Sequence, residues 1–326
     1  MRWWLLVVAL CNAAPDGETK ACRPFVMISM QRSGSRYVTS TLSTHPEVYS
    51  GGELFMNRLR PEAGDAMIRA SWDDMEAEIA SSLGAFCGKR RAVRVVGFKW
   101  MTNQGHDAHH ARARAYLASA NFRVIYLWRR NVLRQFISNF LNKRSEHLAH
   151  PKTKKQIQAA AALAFELPTG AKLLHALEAA EVKRSRIEAY YGGLPSTRVF
   201  YEDLVAAAPS YNATWARVTA FLGVSDFTFS AANSVVLHAN GPALDAVLNK
   251  DAVRATLYRA CANHYECRHV EKFSRPCANA TEPVGASLLE ICRGLRRDEV
   301  DEHARAPPKK RRAPGRAGGG PRADTV

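Results

Sequence analysis

The feature that most constrains this chain is a junction near its start. A largely apolar run, Phe25 to Met30, ends at a polar loop, Gln31-Arg32-Ser33-Gly34-Ser35-Arg36, and Tyr37 to Leu42 continues with helical spacing. A run of that length bounded by a polar turn reads as a buried strand. Strand, small-residue loop and helix together make an anion cradle. Glycine and serine let the backbone come close, its N–H groups point at the ligand, and the helix N-terminus adds partial positive charge. Arg32 and Arg36 bring guanidinium forks that grip phosphate or carboxylate. The loop is not a Walker sequence, because it has one glycine and no lysine. That disfavours a P-loop kinase or ATPase. Taken alone, RSGS is equally well read as a Ser/Gly turn between strand and helix.

Further along, helical and apolar stretches alternate. Asp65 to Leu83 has helical spacing, and Arg94 to Trp100 reads as a second strand. Ala111 to Ala120 reads as helix. Phe122 to Trp128 is a near-continuous apolar run, typical of a parallel sheet covered on both faces. Asn131 to His147, Thr153 to Phe165 and Ala171 to Tyr191 read as helices, followed by a short strand, Thr197 to Tyr201. Glu202 to Ala207 and Tyr211 to Leu222 are again helical. Such alternation predicts a doubly wound α/β fold with a mainly parallel central sheet. Ligands of such sheets sit at the carboxyl ends of the strands, so the loops after Met30, Trp100, Trp128 and Tyr201 matter most.

Arg130 follows the strongest strand, and Ser138 lies eight residues on, about two helical turns up on roughly the same side. Arginine at a helix N-terminus is locally unfavourable and calls for an anionic partner. The bland account is a basic helix start with an ordinary serine.

With these residues in hand, the chain resembles the sulfotransferases that use 3′-phosphoadenosine 5′-phosphosulfate (PAPS). The resemblance rests on RSGS after the first strand, LWRRN with serine at plus eight, Phe200-Tyr201-Glu202-Asp203-Leu204, and Phe221-Leu222-Gly223-Val224, and spans roughly Phe25 to Val224. His45-Pro46-Glu47 through Gly51-Gly52-Glu53-Leu54-Phe55 looks like the carbohydrate-acting branches. The resemblance implies a P-loop-like three-layer fold with helices on both faces of the sheet, and PAPS as co-substrate with no metal. It implies that Arg32, Ser33, Gly34, Ser35, Arg36 and Tyr37 hold the 5′-phosphosulfate, with Arg32 between leaving and transferring groups. Arg130 and Ser138 would bind the 3′-phosphate, and Tyr201 or its neighbours would lie near the adenine. The histidine that the cytosolic branch carries after its second strand is missing, since that place reads Lys99-Trp100-Met101-Thr102. The departure favours Glu53 as general base for a carbohydrate or glycan hydroxyl, with Lys99 as an extra cation. The plain account of Glu53 is an exposed glutamate at a helix start.

The chain of 326 residues carries a formal net charge of +16, which invites a nucleic-acid reading. Part of the excess is local: His303 to Val326 holds seven Lys/Arg against one Asp, in a Pro/Gly/Arg-rich stretch expected to be disordered. A secreted, basic, non-catalytic binder of acidic glycans or nucleic acid is the competing reading. At the N-terminus, Met1-Arg2 precedes the apolar Trp3 to Leu10 and small residues near Ala13 and Ala14. The pattern fits a signal peptide over 1–14, with a short uncleaved anchor as rival, since a membrane span needs ~20 residues. Cysteines 22, 87, 261, 267, 277 and 292 then remain, an even number that predicts disulfides of undetermined pairing, with four of them placed to staple 255–295. Sequons at Asn212 and Asn279 point the same way. One domain over 22–300 in the Golgi lumen or secreted is the expectation. Within Gly105 to His110, His106 and His110 could share a helical face, but no third ligand of matching spacing accompanies them, and the stretch reads as a polar loop.

Overall fold

The computed structural model describes residues 22–55, 71–89, 91–144, 165–205, 209–229 and 247–260 except 258. The expected signal segment, the sequon at Asn279, the four cysteines beyond 260 and the basic tail lie outside the described residues, as do 153–164 of the helix expected over Thr153 to Phe165.

Five strands form one all-parallel sheet: β1 (Arg23–Ser29), β2 (Val48–Glu53), β3 (Val95–Met101), β4 (Arg123–Trp128) and β5 (Ser196–Phe200), in the order β2-β3-β1-β4-β5. Among the described residues the sheet is accompanied by helices α1 (Ser35–Leu42), α2 (Trp72–Cys87), α3 (His106–Ser119), α4 (Val132–Arg144), α5 (Gly170–Tyr190), α6 (Tyr201–Leu204) and α7 (Ser210–Leu222), with a further helical stretch within 250–257. The alternation of side chains along β1 explains the layers. Phe25 and Met27 pack with Tyr37, Leu42, Trp215 and Leu222 of α1 and α7. Val26 and Ile28 face the other way, toward Trp72, Met75, Leu117 and Ile187 of α2, α3 and α5. Both faces are covered, so the strand reads as an unbroken apolar run. A third cluster joins Val132, Leu133 and Ile137 of α4 to Leu173 and Leu177 of α5 and to Val247, Val253 and Leu257.

Three sequence expectations change. Val48–Glu53 is an edge strand, so Glu53 ends a strand and does not open a helix; its VYSGGE sequence carries two glycines and no apolar run to announce it. The histidine-rich stretch is not a loop, because His106 opens α3. Phe165 makes an isolated bridge to Val247 instead of ending a helix. One disulfide is described, Cys22–Cys87, joining the residue before β1 to the end of α2.

Candidate active site

The connection after β1 leads toward β2 on one side and that after β4 toward β5 on the other, so a crevice opens between their carboxyl ends. The loop after β1 fills it. Arg32 has φ 64 and Gly34 φ 82, two left-handed residues within three. At Gly34 the conformation and the space both demand glycine, since a Cβ there would lie 2.1 Å from the Tyr201 ring. The Ser33 amide donates back to the Met30 carbonyl at 3.3 Å. Helix α1 starts at Ser35, so its first-turn N–H groups have no acceptor within the helix and are presented at the loop.

Arginines gather around this turn. Arg32 donates through Nε to Ser138 Oγ on α4 at 2.9 Å. Arg129, just past β4, donates to the Arg32 carbonyl at 3.3 Å and lies 5.0 Å from the Tyr201 ring centroid. Burial holds both guanidinium pKa values below their ordinary range; at Arg32 the charge of Arg129 adds to this, and at Arg129 Glu202 opposes it. Two half-buried cations pressed together make a place where an added anion is stabilised.

Arg130 is engaged by the acidic residues of α6. Its guanidinium forks onto Asp203 at 2.5 and 2.8 Å and sits 4.3 Å from the Phe200 ring centroid. Glu202 accepts from the backbone N–H of Arg130 at 2.9 Å and of Asn131 at 3.2 Å, which places a carboxylate at the start of α4. The anion that the helix N-terminus calls for is thus supplied from within, by the YEDL segment. Arg32, not Arg130, is the guanidinium hydrogen-bonded to Ser138.

The remaining loop residues divide by exposure. Arg36 is exposed. Ser33 is fully buried, with its hydroxyl accepting from Gln135 at 3.1 Å, and Ser35 is buried beside Met101. Tyr37 donates to the Leu204 carbonyl at 3.1 Å and meets the Tyr201 ring edge-on, so its side chain ties α1 to α6. Ser35 and Tyr37 therefore offer the crevice backbone amides and not hydroxyls, while both the amide and the hydroxyl of Ser33 are engaged within the protein.

On the neighbouring strands, Glu53 pairs in register with Lys99. Lys99 Nζ lies 2.8 Å from Glu53 Oε1, and Gln104 Nε2 donates to the other carboxylate oxygen at 3.1 Å. Gln104 is itself fixed: its Oε1 accepts from the Met101 amide at 2.9 Å and its carbonyl from Trp100 Nε1 at 2.7 Å. Glu53 is part-exposed while Lys99 is nearly buried, so the carboxylate is the accessible member of the pair. His106 lies behind this cluster, stacked on Trp100 at 4.1 Å with Nδ1 2.7 Å from the Tyr191 hydroxyl. Burial pushes its pKa down to about 3, and the charge of Lys183 adds to the effect. Among the described residues, no group of three or more His, Cys, Asp or Glu is placed to hold a metal.

Sequence reasoning did not single out Arg129, Gln104 or Gln135. Gln135 precedes Ser138 by one helical turn on α4, a spacing that could have paired them. Gln104 has no comparable signal, since it meets Glu53 across 51 residues of chain.

No protein-family model matches the chain, and no curated protein does. Among solved structures it is similar to a sulfotransferase from Alicyclobacillus acidocaldarius, at 16% identity and TM-score 0.41, covering 79% of this chain and 98% of that one. It is similar to the sulfotransferase domain from the curacin biosynthetic pathway, at 15% identity and TM-score 0.37, covering 84% and 98%. The sulfotransferase domain of the Synechococcus PCC 7002 olefin synthase follows at 14% and TM-score 0.35, covering 84% and 95%. All three are sulfotransferases. Likeness this distant carries no weight for chemistry, which rests on the residues above.

Proposed function

We propose that the chain transfers a sulfuryl group from PAPS to a hydroxyl of a carbohydrate or glycan. The observation that carries this reading is the crowding of Arg32 and Arg129 around a left-handed glycine loop, with Glu53 at the end of a nearby strand. The donor set fits: guanidinium groups and helix-terminal amides suit the phosphate and sulfate of a 3′,5′-bisphosphate nucleotide, and no step calls for a metal.

The donor supplies an activated sulfuryl group on a phosphate leaving group. Arg32, Arg36 and the amides of residues 34–37 hold that phosphate and stabilise its growing charge, worth roughly 3–4 kcal/mol for a well-placed donor. Glu53 takes the proton of the acceptor hydroxyl as its oxygen bonds to sulfur, contributing about 10²–10⁴ in rate. Lys99 and Gln104 hold the carboxylate in place. Ser138 and Arg130 bind the 3′-phosphate, which requires Arg130 to share or leave Asp203. Tyr201 flanks the adenine. The Cys22–Cys87 bridge supports an oxidising compartment, in keeping with a Golgi or secreted protein.

Thermal unfolding with and without 3′-phosphoadenosine 5′-phosphate tests the donor site. At ~100 times its dissociation constant the nucleotide adds about 2.7 kcal/mol to wild type. In Arg130→Ala the shift is expected to shrink, measured against that variant's own unliganded midpoint. No shift in wild type would sink this reading and leave the basic, non-catalytic binder of polyanions.

A further inference from the structure

Arg32 is not glycine, yet its φ is 64. A residue with a Cβ is uncommon in the left-handed region, and such conformations persist where surrounding structure over-determines them. The contacts responsible come from α4. Gln135 is almost fully buried, at 4% exposure, and its Nε2 donates to the Gln31 carbonyl at 2.8 Å and to Ser33 Oγ at 3.1 Å. One amide group therefore grips the backbone before Arg32 and the side chain after it. A turn later on the same helix, Ser138 accepts from Arg32 itself. The orientation of the Gln135 amide is settled by its partner, because the flipped form would press its oxygen against the Gln31 carbonyl oxygen. Its Oε1 is buried with no hydrogen-bond partner among the described residues. Such an orphaned acceptor costs stability, and is retained here beside two hydrogen bonds that fix the anion loop.

We infer that Gln135 is the positioning residue for this loop: it sets the Arg32 conformation in which the loop amides and the guanidinium converge on the 5′-phosphate of the nucleotide. The inference rests on the donor reading above. It separates Gln135 from residues that merely fill the core. A core role affects every ligand of the folded protein alike, whereas a loop-positioning role affects only ligands that carry a 5′-phosphate.

The test is calorimetric titration of the full chain, as wild type, Gln135→Leu and Gln135→Asn, with 3′-phosphoadenosine 5′-phosphate and with adenosine 3′-phosphate, which lacks the 5′-phosphate. Both variants are expected to bind the bisphosphate about tenfold more weakly, the scale of one to two neutral hydrogen bonds. Affinity for adenosine 3′-phosphate stays as in wild type. Equal weakening of both ligands, or no weakening of either, overturns the inference while leaving the donor reading intact. Failure of both variants to fold makes Gln135 a core residue and overturns it as well. Wild type that binds neither nucleotide takes the donor reading and this inference down together.

Discussion

At the scale of single residues, Gly34 carries two independent demands. Alanine there keeps a left-handed φ at a cost of about 1–3 kcal/mol, and its Cβ meets the Tyr201 ring. Gly34→Ala should therefore lower the denaturant midpoint and lose its response to 3′-phosphoadenosine 5′-phosphate. Adding Tyr201→Ala relieves the steric part but not the backbone part, so the double variant should recover some stability and not all of it. A full recovery would show that φ at this position costs nothing. Glu53 separates binding from chemistry in the opposite sense. Glu53→Gln keeps the shape of the carboxyl group and removes the base, so nucleotide binding should persist. Transfer of labelled sulfate from PAPS to a panel of glycans should fall by about 10²–10⁴. Unchanged transfer would remove Glu53 from the mechanism.

At the scale of elements, what the sequence shows and what it hides follow from chain distance. The strands of β1 and β4 announce themselves because both their faces are buried, and the RSGS turn because a strand and a helix flank it. The edge strand β2 does not, since Gly51 and Gly52 interrupt it and only its pairing with β3 makes it a strand. The contacts that tune the site are longer still: Gln31 to Gln135 spans 104 residues and Arg130 to Asp203 spans 73. No local pattern encodes them. The start of α3 is such a case, because three nearby histidines look polar while His106 is buried against Trp100 and Tyr191. Its pH consequence has a definite sign. The folded-state pKa is about 3, against an ordinary value of 6.5, so the unfolded chain binds the proton more readily. The stabilisation is whole above pH ~6.5 and declines as pH falls toward 3, by up to ~1.4 kcal/mol per unit. Carboxylates add their own acid dependence, so the comparison is with His106→Phe, which keeps the aromatic stack. Between pH 7 and 4 the variant should lose melting temperature less steeply than wild type. Parallel curves would mean that His106 is not neutral in the fold.

At the scale of the whole molecule, the sheet puts its staple and its site at opposite ends. Cys22 precedes β1 and the anion loop follows it, and a strand of seven residues rises about 23 Å between them. The bridge closes a loop across 65 residues, holding the end of α2 against the amino edge of the sheet. Constraint of the unfolded chain by such a loop is worth about 2–4 kcal/mol. The crevice, by contrast, is assembled from α1, α4 and α6 at the carboxyl ends of β1, β4 and β5, and the bridge meets these elements only at the amino end of β1. Stability and nucleotide affinity should then separate. The pair Cys22→Ala and Cys87→Ala, or reduction of the wild type, should lower the unfolding midpoint. The dissociation constant for 3′-phosphoadenosine 5′-phosphate, measured well below that midpoint, should stay within error of the oxidised protein. A parallel loss of affinity would mean that the loop depends on strain or alignment carried through the length of β1, and that sheet and site are one cooperative unit.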